Sequence, residues 1–89
     1  MRVAVDSIGM ENAPQVAEVG HAAIASGDAH VDLSGVVRCD SSAVAVLLEW
    51  QRAAAAQGLT LTVQGVPAAL HSLATVYGVT ELLPALDVR

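Results

Sequence analysis

The chain reads as one small α/β domain, a few-stranded mixed sheet with helices packed on one face, and three observations predict it. Short stretches alternate apolar with polar residues, at Arg2 to Asp6, His30 to Ser34 and Leu59 to Gln64, which is the period of a strand with one buried face. Between them lie segments whose apolar residues recur at helical spacing, the pattern of amphipathic helices. Glycine and proline mark the changes of period, at Gly27, Gly58, Gly65-Val66-Pro67 and Gly78, where a chain turns or a helix stops. Crossovers from strand through helix to strand within one sheet are right-handed and parallel. Alternation, in place of continuous apolar runs, means that helices cover only one side of the sheet.

In order, Arg2-Val3-Ala4-Val5-Asp6 is a short strand expected at an edge, with Val3 and Val5 on one side. Asn12 suits an N-cap and Pro14 the first helical turn, and Val16, Val19, Gly20, Ala23 and Ile24 follow at helical spacing. That helix runs from about residue 12 to Ala25 or Ser26 and stops near Gly27. His30 to Ser34 is the second strand. From Ser42 onward Val44, Leu47, Leu48, Gln51 and Ala55 fall near one meridian of a helix that Gly58 ends, with Glu49 and Arg52 toward solvent. Leu59 to Gln64 is the clearest alternation, and Gly65-Val66-Pro67 then turns the chain. Pro67 opens a helix carrying Leu70, Leu73, Ala74 and Tyr77 at i, i+3, i+4 and i+7, with Tyr77 read as core. Val79 to Leu83 is a strand or a last helical turn, and the tail from Ala85 to Arg89 is expected to fray.

Composition excludes several functions. Residues 1–89 form a single domain, 54% apolar and only 15% charged, well outside the disordered class. Four arginines, no lysine and nine acids leave a net charge of −5 without a basic cluster, which opposes nucleic acid and anionic membrane surfaces as direct partners. No run reaches transmembrane length, and Met1 is followed by Arg2 and an alternating stretch where a signal peptide has a continuous apolar segment, so a cytoplasmic domain is expected. The lone Cys39 makes no internal disulfide, and His21, His30 and His71 are scattered, so neither a metal nor another cofactor is expected. No Gly-x-Ser-x-Gly elbow and no glycine-rich phosphate loop is present, which argues against a serine hydrolase and against nucleotide binding. Cys39 reads as a small strand-end residue.

Asp40-Ser41-Ser42 stands where a strand hands over to the alanine-rich helix, at the free N–H groups and positive end of its dipole. The plain reading is an N-terminal cap, with the capping box incomplete because neither Val44 nor Ala45 is Glu or Gln. The functional reading makes Ser41 or Ser42 a phosphate acceptor or a contact for a partner. A phosphate there adds about −1.5 to −2 charges beside Asp40 and switches an interface without refolding the domain. Trp50, with Val46 and Ala53, lies off the helix meridian and is either core or an exposed interaction anchor. The expected partner interface comprises Asp40, Ala43, Val46 and Trp50 around the two serines.

Val31-Asp32-Leu33-Ser34-Gly35-Val36, then Asp40-Ser41-Ser42-Ala43-Val44-Ala45-Val46-Leu47-Leu48, then Leu61-Thr62-Val63-Gln64-Gly65-Val66 resembles a STAS domain, the family of anti-sigma factor antagonists and related regulators. The resemblance spans about Asn12 to Pro84. In the antagonists the second hydroxyl of the turn is phosphorylated by a serine kinase that is itself the anti-sigma factor, which implies Ser42. In the cytoplasmic STAS subunit of the Mla phospholipid-transport system the first hydroxyl supports the ABC ATPase, which implies Ser41. The stretch from Val63 through Tyr77-Gly78-Val79 to Leu82-Leu83-Pro84 is similar to the Mla subunit, and Ala43 replaces the family glycine after the hydroxyls. The resemblance therefore implies a non-enzymatic subunit that binds an ABC ATPase, joined to the membrane only through a transporter, with a phosphorylation-switched anti-sigma factor antagonist as the competing reading.

Overall fold

The computed structural model describes residues 1–83 and 86–88. Five short strands and three helices alternate: β1 (Ser7–Ile8), α1 (Ala13–Ala25), β2 (His30–Asp32), β3 (Arg38–Cys39), α2 (Ser41–Ala56), β4 (Thr62–Val66), α3 (Ala68–Val76), a 3-10 turn at Thr80–Leu82, and β5 (Leu86–Val88). This is the predicted α/β class, and the three helices lie within two residues of their expected bounds. Every ladder among the described residues is parallel, so the mixed pairing expected of the sheet does not occur there.

Strands β2, β4 and β5 form one ladder set and β1 pairs with β3 in another. The N-terminal segment joins the two. At its start Arg2 bridges Asp32, with the Val3 N–H donating to the Asp32 carbonyl at 3.0 Å. At its end Ser7 and Ile8 pair with Arg38 and Cys39. The strand expected at residues 2–6 thus reduces to a single bridge, with regular pairing displaced to Ser7–Ile8. The segment also lies between β2 and β3, not at an edge, because each of its ends finds a different neighbour.

Strand β2 stops at Asp32, short of the predicted Ser34. There the Asp32 carboxylate accepts the Ser34 N–H at 2.9 Å and the Val36 N–H turns back to the Leu33 carbonyl. These local bonds compete with continued ladder pairing. Strand β4 begins at Thr62, later than expected, because the Leu59 N–H is used to close α2 on the Ala54 carbonyl. With Gly58 at φ +70° and its N–H on Ala55, that is a complete Schellman stop, repeated by hydrogen bonding at the ends of α1 and α3.

Gly65 does not turn the chain as expected. It sits inside β4 at φ +68°, where the register against β5 shifts between Val63 and Val66, and β4 continues through Val66 to Pro67, the N-cap of α3. A Cβ at Gly65 would lie 2.8 Å from the Ser34 backbone, so glycine permits both the bulge and the close approach of the loop after β2. The tail is not frayed at Leu86–Val88, which pairs with β4 as an edge strand; Pro84, Ala85 and Arg89 lie outside the described residues.

Helix α2 packs against both α1 and α3. Val31, Leu33, Leu61 and Val63 are buried beneath the helices, whereas on the opposite side His30 and Gln64 are exposed and hydrogen-bonded to one another at 3.0 Å. One sheet face is therefore covered and the other is polar, as alternation predicted. Tyr77 corrects the expectation of a core residue. It is 56% exposed, because α3 ends at Val76 and its final turn carries no buried residue after Ala74.

The buried arc of α2 is wider than its sequence meridian and rotated from it. Val44 and Leu47 are buried as expected, but Leu48 and Gln51 are only half-buried and Ala55 is exposed. Ala43, Val46, Trp50 and Ala54 take their place in the core. Trp50 has no exposed surface, and its indole N–H donates to the Ala17 carbonyl of α1 at 3.0 Å. Gly20 makes room for it, since a Cβ there would overlap the indole. The backbone of α1 and the largest side chain of α2 thus meet directly. Trp50 is therefore core, one of its two readings, and its place in the expected partner interface is corrected together with those of Val46 and Ala43, which are buried on the side of α2 that packs against α1.

Candidate functional site

The site is built from the start of α2. Asp40 adopts extended backbone (φ −112°, ψ −169°), and its Oδ1 accepts the Ser42 N–H at 2.8 Å, so within the expected capping cluster the aspartate is the cap and the serines are not. The same oxygen accepts the Ser42 hydroxyl. Its other oxygen, Oδ2, accepts the Met10 N–H at 3.3 Å, and the Asp40 N–H is held by the Ile8 carbonyl at 3.1 Å. One carboxylate therefore fixes the first turn of α2 and ties it to the loop before α1.

Ser41 and Ser42 both lie at the surface, but their hydroxyls differ. Ser42 is half-buried and its hydroxyl is engaged by Asp40. Ser41 is exposed, and its hydroxyl has no hydrogen bond among the described residues. Behind them Ala43 and Val46 are part of the core, so Asp40, Ser41 and Ser42 are what the expected interface set leaves at the surface.

The hydroxyl and then the backbone N–H of Ser42 hold the Asp40 carboxyl below the usual aspartate range, with the Met10 N–H adding to the effect. A depressed folded value means that the cap contributes its full stability above the ordinary aspartate pKa and loses it as pH falls through the lowered one. The difference in thermal midpoint between wild type and Asp40→Ala is therefore expected to be constant at neutral pH and to shrink under acid, followed by circular dichroism. A difference independent of pH down to strong acid would mean that Asp40 does not cap as an anion. Cys39, next in line, is half-buried at the end of β3, and burial followed by the charge of Asp40 pushes its thiol pKa up. That keeps it protonated, as suits a strand-end residue.

Sequence reasoning missed Met10. Asn12 stands at the N-cap of α1 but makes no capping bond; its side chain instead accepts the Gly9 N–H at 2.9 Å and donates to the Ser7 carbonyl at 2.8 Å. The loop so braced presents Met10, 78% exposed, against Asp40. The signal available was an apolar residue between Gly9 and a capping-type Asn12; its placement beside Asp40 depends on the β1–β3 pairing, which local sequence does not reveal.

From Ser42 a groove of about 390 Å³ runs between α1 and α2, with Pro14 and Glu18 on one side and Ala45 and Glu49 on the other. Ala13 and Ser42 share one end of it, so the two helices start side by side, as parallel crossovers require. No helix among the described residues is long and apolar enough to cross a membrane.

No curated protein is a significant match to the chain. The family model described as Mlab, STAS domain, matches residues 4–84, nearly the whole chain and all of the Asp40 turn. With this order of strands and helices, and a capped, surface-exposed pair of hydroxyls at the head of α2, the chain belongs to the MlaB-like STAS domain family.

Proposed function

We propose that this chain is a non-enzymatic regulatory subunit that binds and supports the ABC ATPase of a Mla-type phospholipid-transport system on the cytoplasmic side, with Ser41 at the contact. The observation that carries the reading is the division of labour between the two serines. Ser42 is committed to the Asp40 cap, and a phosphate on it would have to displace that bond and stand against an ionised carboxylate. Ser41 is exposed with an unengaged hydroxyl on a turn held from three sides, a preorganised position for contact with another protein. Family resemblance links the first hydroxyl to the ATPase and the second to the kinase, and the geometry favours the first.

The test is co-purification with the ABC ATPase of a Mla-type system from the same organism, using wild type, Ser41→Arg and Ser42→Ala. Wild type and Ser42→Ala are expected to bind and to support ATP hydrolysis, whereas Ser41→Arg weakens binding by about tenfold or more with an unchanged melting curve. Binding by Ser41→Arg equal to wild type, or none by wild type, would overturn the reading. Phosphorylation of Ser42 by a serine kinase bound to the chain would replace it with the anti-sigma factor antagonist.

A further inference from the structure

We infer that the trough between α1 and α2, with Met10 at its head, seats a basic amphipathic helix of the partner; this rests on the reading of Ser41 as a partner contact and extends it to a surface of defined chemistry. The groove beside Ser42 continues into a second of about 310 Å³ that shares His21 and Glu49 and reaches Ala56. From Ser42 to Ala56 the trough follows α2 for about 21 Å at the helical rise per residue, room for about four turns of a docked helix. Ala17 and Ala45 are small, and Val46 is buried beneath them, so a second helix can approach closely over an apolar floor.

Charge selects the occupant. Glu18 and Glu49 are exposed on opposite sides of the trough, and neither has an ion-pair partner among the described residues. Glu11 and Asp40 add two carboxylates around Met10 at the head. The one arginine on the trough is Arg52, toward the far end. Glu18 and Glu49 thus line an apolar channel whose one arginine is Arg52 and whose one histidine is His21, with Asp40 just beyond its head, which matches a helix bearing Lys or Arg beside small apolar residues. Met10 supplies a flexible, polarisable contact that adapts to such a partner.

Titration of the purified ATPase against wild type, Glu18→Lys/Glu49→Lys and the isosteric Glu18→Gln/Glu49→Gln decides it. The charge reversal is expected to raise Kd about tenfold and the neutral pair about threefold, and both flatten the loss of affinity between about 50 and about 300 mM NaCl. Met10→Ser is expected to weaken binding by about threefold without changing the salt dependence. If both double variants bind with wild-type affinity and salt response while Ser41→Arg still blocks the complex, the trough is not the docking site and the ATPase reading stands. If wild type binds no ATPase, both fail together.

Discussion

Replacing Trp50 by alanine is expected to remove about 3–5 kcal/mol of folding stability, measured by chemical denaturation, because it empties a fully buried site between α1 and α2. For a domain of this size that is much of the total. The sharper form of the prediction couples Trp50 to Gly20. Gly20→Ala alone adds a methyl group where the indole already stands, so the helices must separate, at about 1–3 kcal/mol that outweighs the gain of roughly 1 kcal/mol in helix propensity. In the Trp50→Ala background the same methyl group enters a void, and Gly20→Ala should become neutral or stabilising. A double-mutant cycle reads this reversal as a coupling energy. Additive effects, or a loss below about 1 kcal/mol for Trp50→Ala, would show that this contact does not set the spacing of the helices.

Gly65→Ala is the second large effect. Its φ of +68° costs an L-residue about 1–3 kcal/mol, and the added Cβ also meets the Ser34 Cα and N at 2.8 Å. Those are backbone atoms of the loop after β2 and cannot swing aside as a side chain does. Gly58→Ala is the matched control: φ is +70°, but an added Cβ meets nothing within 4 Å. Gly65→Ala is expected to exceed Gly58→Ala by more than about 1 kcal/mol in urea unfolding. Equal losses would reduce Gly65 to a residue needed only for its backbone angle.

The two predictions bear on the proposed contact as well as on the fold. Trp50 and Gly20 fix the approach of α1 to α2, and hence the width of the trough that begins at Ser42. A variant that loosens that contact is expected to impair partner binding in proportion to its loss of stability. Ser41→Arg should impair binding without such a loss, which separates a docking residue from a structural one.

The candidate site was legible where its chemistry is local. Asp40-Ser41-Ser42 at a helix start announces a capping cluster, and within it the Asp40 carboxylate, in place of a serine, accepts the Ser42 N–H. That the Ser42 hydroxyl is committed and the Ser41 hydroxyl is not depends on one rotamer each. Met10 could not be placed from its neighbours, because its position beside Asp40 follows from pairing between residues about thirty positions apart. Trp50 was ambiguous for a related reason. A single helical projection ranks residues around one meridian, whereas α2 is flanked by α1 and α3 and buries a broader arc.

By itself the order of residues determined the α/β class, the extent of the three helices, the glycine stops and the capping cluster at residues 40–42, since each rests on interactions within about four residues along the chain. Tertiary structure alone decided which two-residue segments pair as strands, that the tail joins β4, that Gly65 makes a bulge and no turn, and that Trp50 faces a glycine of another helix. Those outcomes turn on close approach between distant segments, where a difference of one methyl group or one register position settles the arrangement.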